Sequence, residues 1–287
     1  MTIPRLLLGP LLATVVTTPL HAAFLPDTGQ TLCDDGSNTL VACSDANTGD
    51  ASTMPGQDGR YGRDPAAAAG RMSKVGGGAA GLDYIKMSNS GTYLPATAPL
   101  GAGATDWACN IDLFTGLEWE VKVSDGGLRD VNWVYSWYNS NPAINGGVAG
   151  VPDSGIGVGS DACFDPARCD TEKYVADVNA AGLCGKSDWR VPSKRELESL
   201  LYFGGGSTSH PYIDPNYFPA SSNFGGEVIW SASTVSSAVF APDGSFAYAN
   251  GLNAWAVSFS FGGVSSVHPK SVFDGPTNVM LVRGAPF

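Results

Sequence analysis

The sequence predicts an α+β domain over residues 107–287, two helices set against a mostly antiparallel sheet, preceded by an irregular N-terminal arm. Three observations carry that prediction. Cys169 to Leu201 holds two capped helices joined by a turn crowded with Cys, Gly, Trp, Arg and Pro. From Trp107 onward, aromatic and β-branched residues recur in short runs separated by Gly and Asn turns, as in a compact mixed domain. Six cysteines, an even number, are available to staple it.

The first strand of the domain is Leu117 to Val123, where strict alternation puts Leu117, Trp119, Val121 and Val123 on one face. Glu118, Glu120 and Lys122 project the other way, onto an expected solvated face. A helix follows over residues 171–181, with Asp170 as N-cap and Tyr174, Val175, Val178 and Leu183 as the buried stripe; Gly182 stops it. The second helix opens on the capping box Ser193-Lys194-Arg195-Glu196, continues through Leu197, Leu200 and Leu201, and ends at Gly204-Gly205-Gly206. Between the helices Trp189, Val191 and Pro192 anchor the crossing, and Asp188 and Arg190 are expected to pair. Trp230 to Ser233 reads as a short strand, Trp255 to Phe261 and Val264 to His268 as a hairpin about Gly262-Gly263, and Val279 to Arg283 as the strand that closes the sheet.

Upstream, Arg5 followed by the apolar run Leu6 to Val16 and the small-residue exit Leu20-His21-Ala22-Ala23 reads as a secretory leader over residues 1–22. A membrane span needs about 20 uninterrupted apolar residues, and Gly9-Pro10 and Thr17-Thr18-Pro19 interrupt this one. Residues 23–106 read as a loop-rich arm with a low-complexity patch at Pro65 to Gly81, because few apolar residues recur there with any period. In the oxidising compartment the leader implies, cysteines pair. Short spacings favour Cys33 with Cys43 and Cys163 with Cys169, leaving Cys109 for Cys184. No Cys-x-x-Cys occurs and His210 and His268 stand apart, which speaks against zinc.

The chemistry-bearing candidates are few. A net charge of −11 disfavours nucleic acid, anionic lipid and sulfated polymers as partners. No Gly-x-Ser-x-Gly elbow is present, both histidines precede prolines, and Gly155-Ile156-Gly157-Val158-Gly159 lacks the Lys of a phosphate loop. Asp45 to Asp50 falls short of a calcium loop. No catalytic residue, cofactor or metal site is therefore predicted, calcium included. The long segments Gly204 to Val228 and Val235 to Ala254 carry stacking and hydrogen-bonding groups, and Tyr212, Asp243, Tyr248, Asn250, Asn253 and Trp255 are the ligand-binding candidates. Trp119, Trp189, Arg190, Pro192, Ser193, Glu196 and Trp230 are assigned to structure.

Several ordered motifs resemble one family: Thr115 to Glu120, Trp133 to Trp137, Ser187 to Pro192, Ser193 to Glu196, Trp230-Ser231 and Leu281 to Gly284, with Gly56-Gln57-Asp58 resembling a segment often found upstream. Together they look like the Lcl C-terminal domain, named after the end of a bacterial collagen-like adhesin, across residues 107–284. The resemblance implies a C-type-lectin-like fold, export or surface display in bacteria, and, for the naming adhesin, binding of host glycosaminoglycans. The chain has no collagen-like tract, its charge is wrong for a sulfated polymer, and it lacks the calcium-binding triplets of sugar-binding C-type lectins. The expectation is a secreted, periplasmic or surface module, not an enzyme, that binds a neutral glycan or a protein partner. The alternatives are a structural surface-assembly subunit, with homo-oligomers, and a secreted glycosidase or formylglycine-generating-like oxidase.

Overall fold

The computed structural model describes residues 28–37, 39–43, 56–71, 82–153, 163–203, 212–219, 228–235, 239–240, 246–248, 251–260, 265–271 and 277–286. The leader, the Asp45 to Asp50 turn, the 155–159 glycine segment and His210 lie outside them. The mixed α+β class holds, with short helices and mostly antiparallel strands.

Two sheets form the body. One has the order β13-β6-β5-β3-β4 and is antiparallel throughout: β3 is Tyr84–Ser88, β4 Tyr93–Leu94, β5 Trp107–Asp112, β6 Glu118–Glu120 and β13 Val282–Arg283. The other has the order β11-β10-β7-β12, with β7 at Val228–Thr234, β10 at Asn253–Ser258, β11 at Ser265–Pro269 and β12 at Thr277–Asn278. β12 runs parallel to β7 while the other pairs are antiparallel. The segment 277–283 thus leaves one sheet and enters the other, and Val279, Met280 and Leu281 between them are almost fully buried.

The arm differs from its expectation. Composition hid a hairpin, β1 (Leu32–Asp34) with β2 (Leu40–Ala42), two short helices, α1 (Asp58–Tyr61) and α2 (Arg63–Ala68), and the strands β3 and β4. α2 runs into the stretch taken as low-complexity. β3 pairs along its length with β5, so Leu82, Tyr84 and Met87 belong to the core. Gln57 of the Gly56-Gln57-Asp58 motif ties α1 to the hairpin, its amide accepting from Asp34 N at 2.6 Å and donating to Asp34 O at 2.9 Å.

The long helix α3 spans Thr171–Ala181 as predicted. Asp170 accepts from Lys173 N at 2.8 Å, which satisfies one free N–H of the first turn. Gly182 takes φ 68°, where a Cβ would be strained, and ends the helix. α4 is Lys194–Glu198 with the capping box formed in both directions. It stops at Ser199, short of the predicted glycine run, yet Leu200 still reaches the core.

Two apolar clusters fill the interior. One gathers Trp119, Leu197, Leu200, Ile213, Phe259 and Val282. The other gathers Tyr135, Trp137, Tyr174, Trp189 and Trp230 around the Cys109–Cys184 disulfide. The remaining pairs are Cys33–Cys43 and Cys163–Cys169, the connectivity the spacings favoured. The segment 212–219, expected to be an open loop, instead inserts Ile213, Tyr217 and Phe218 into the first cluster, and Tyr217 O accepts from Asn110 Nδ2 at 2.5 Å.

Candidate functional site

The ordered motifs converge on one structural node. Arg190 meets Glu196 through both guanidinium arms, at 2.9 and 2.6 Å, and the same carboxylate accepts from Ser193 N at 2.7 Å. Those bonds hold the Glu196 carboxyl below its ordinary range against the opposing effect of burial. Arg190 also exchanges backbone hydrogen bonds with Val282, at 2.9 and 3.0 Å. The expected Asp188–Arg190 pair is absent, because the bidentate Glu196 claims Arg190. Asp188 pairs instead with Arg283 at 2.7 Å, and Arg283 also contacts Glu118.

The tryptophans lock the remaining joints. Trp189 Nε1 donates to Leu183 O at 3.0 Å, Trp230 Nε1 to Tyr135 O at 2.8 Å and Trp137 Nε1 to Ser231 O at 2.9 Å. Ala232 N donates to Pro192 O at 2.7 Å, and Trp119 lies opposite Val282 in the strand register. These side chains hold elements together and leave little of themselves for a ligand.

The polar face of β6 is not solvated. Glu120 is fully buried and Lys122 nearly so. Lys122 Nζ donates to Glu120 Oε1 at 3.2 Å and to the Tyr174 hydroxyl at 2.7 Å. Tyr174 in turn donates to Glu120 Oε1, and Leu281 N donates to Glu120 Oε2 at 2.9 Å. α3 covers this face and supplies the phenol, so both sides of the strand are interior. Burial pushes the Lys122 amine down and the Tyr174 phenol well up, and the Glu120 carboxylate opposes the first shift and reinforces the second.

Lys270 is a second interior cation, 1 % exposed. Its amine donates to Asn145 O at 2.7 Å and Val148 O at 3.1 Å, and sits 4.0 Å from the centre of the Trp137 ring. It pins the 139–151 loop to the end of β11. Burial pushes it down from 10.5 to about 8. Between those values the unfolded chain holds a proton that the folded chain has released, so stability rises with pH across that interval. Lys122 and Lys86, both shifted down by burial, add in the same sense. The buried phenols Tyr135 and Tyr174, both shifted up, reverse the slope once unfolded tyrosines ionise near pH 10. Urea midpoints measured from pH 7 to 11 should therefore climb to a maximum near pH 9.5 to 10 and then fall. Lys270→Met should make the climb shallower, and a midpoint that declines steadily from pH 7 would contradict the assignment.

Of the ligand candidates, Tyr212, Asn253 and Trp255 have described side chains. Asn253 is 6 % exposed within β10, with its backbone oxygen accepting from Val235 N at 2.9 Å, and is removed from the solvent-facing set. Tyr212 is half-buried, its ring 5.7 Å from Phe203 and its N–H donating to Phe259 O at 2.6 Å. Tyr248 lies in β9 (Phe246–Tyr248), which pairs with β8 (Val239–Phe240). Asp243 and Asn250 lie outside the described residues.

Trp255 remains, half-buried on β10, and has neighbours that sequence reasoning missed. Lys194 Nζ lies 4.7 Å from the centre of its ring and 3.2 Å from Glu198 Oε1. Ser265 Oγ donates to Glu198 Oε1 at 2.8 Å, and Ser233 Oγ accepts from Lys194 N at 3.0 Å. A half-buried indole with an ammonium against its ring, and with a carboxylate and two hydroxyls linked to that lysine, brings together group types suited to stacking and hydrogen bonding of a polar ring. The i, i+4 spacing of Lys194 and Glu198 on α4 is the signal that marks them as neighbours. Among the described residues no group of His, Cys, Asp and Glu is placed to hold a metal, and no helix is long and apolar enough to cross a membrane.

Residues 108–283 match the family described as the Lcl C-terminal domain. No curated protein and no solved structure matches the chain.

Proposed function

The chain belongs to the Lcl C-terminal domain family, and on that premise we propose that it is a non-enzymatic, secreted, periplasmic or surface-exposed bacterial module that binds a neutral glycan or a protein partner. Its body is a C-type-lectin-like scaffold. The single observation that carries the proposal is the Trp255 platform, with Lys194 against its ring and Glu198, Ser233 and Ser265 linked to that lysine or to one another. The three disulfides suit an exported protein. The net charge of −11 turns the ligand away from sulfated and phosphorylated polymers. Calcium is not part of the proposal, because among the described residues no group of His, Cys, Asp and Glu is placed to hold a metal.

A glycan and protein-partner array, run with and without calcium, tests this. The expected result is a calcium-independent signal that Trp255→Ala weakens about tenfold, the loss of one aromatic stack of about 1.5 kcal/mol. Silence on the array, together with turnover of a hydrolase or oxidase substrate panel, overturns it.

A further inference from the structure

A cleft of about 170 Å³ opens between the 123–129 turn and the C-terminal end of α3, on residues separate from the Trp255 platform. Cavities of about 150 Å³ hold a benzene ring, so this one admits a single small molecule of that order. Val123, Leu128, Val178 and Leu183 give it apolar walls, and Arg129 and Asp125 bring opposite charges to it.

Arg129 is the unusual member. It is 9 % exposed, yet among the described residues no carboxylate lies within ion-pair distance, whereas Arg63, Arg168, Arg190 and Arg283 each face one. Its guanidinium donates to Val121 O at 2.5 Å, Ala108 O at 3.2 Å and Gly101 O at 3.4 Å. A guanidinium has five N–H donors. The Nε–H has no partner among the described residues, and this nitrogen is not among the atoms sealed from solvent. A cation on the lining of a cleft, fixed by backbone carbonyls and with a donor unused, is prepared for a carboxylate. Asp125 is exposed, with one oxygen accepting from Gly127 N at 2.8 Å, and it disfavours a bare anion at the mouth. A zwitterion meets both requirements.

We propose that this cleft binds a free α-amino acid with a small apolar side chain, its carboxylate on Arg129, its ammonium at Asp125 and its side chain against Val178 and Leu183. L-Leucine is the probe, titrated into the full chain and followed by amide NMR shifts. Saturable shifts on residues 123–129 and 178–183 are expected. 4-Methylpentanoate, which lacks the ammonium, and isoamylamine, which lacks the carboxylate, should each bind about tenfold more weakly, the worth of one charge-assisted contact. Asp125→Asn should cost about fivefold, and Ala181→Trp, at an exposed position on the cleft lining, should abolish the shifts while leaving the thermal midpoint in place. No saturable shift, equal affinity for 4-methylpentanoate, or full binding by Ala181→Trp overturns the proposal. None of these outcomes bears on the Trp255 platform.

Discussion

Replacing both Cys109 and Cys184 by alanine should cost about 4 kcal/mol of stability, the largest effect expected from any disulfide in the chain. The bond closes a loop with a sequence separation of 75, against 10 for Cys33–Cys43 and 6 for Cys163–Cys169. Its loss frees more of the unfolded chain's configurations than the loss of either local clip, which should cost about 3 kcal/mol or less. Both sulfurs are buried in the second core cluster, so the folded state also loses contacts. Cys184 adopts φ 52°, a left-handed backbone that suits glycine better than alanine. A Cys109→Ala, Cys184→Gly protein should therefore recover about 1 kcal/mol relative to the double alanine. Urea unfolding of the oxidised proteins measures all of these, and a double alanine with an unchanged midpoint would remove this cross-link from the account of stability.

Glu120→Ala should destabilise by about 3 to 5 kcal/mol, the cost of removing one partner from a buried ion pair. Three donors lose their acceptor together: Lys122 Nζ, the Tyr174 hydroxyl and Leu281 N. The double change Glu120→Leu with Lys122→Met should cost much less than the sum of the single changes, because it removes the uncompensated charge as well as the bond. A double-mutant cycle in urea checks this. Additivity would mean that the two groups do not interact.

Helix starts were legible because N-capping uses adjacent residues: Asp170 with Lys173, and Ser193 with Glu196, are fixed within one turn. The disulfide pairs were legible from spacing. The burial of Glu120 and Lys122 was not, because alternation divides a strand into two faces without saying that a helix covers the polar one. The cue was in α3, where Tyr174 stands in the buried stripe with a hydroxyl that must find a partner. The strands of the arm were missed for a related reason. β3 has weak alternation and is recognisable only beside β5, a pairing across sequence that local pattern does not contain. The candidate site was legible only at Trp255, since Lys194, Glu198, Ser233 and Ser265 come from three separate segments.

The run from Thr277 to Arg283, which supplies an edge strand to each sheet, makes the two sheets mechanically dependent on each other. With Val279, Met280 and Leu281 buried between the two pairings, this run cannot be drawn out of one edge without disturbing the other. Damage at either edge is therefore shared by both halves of the body.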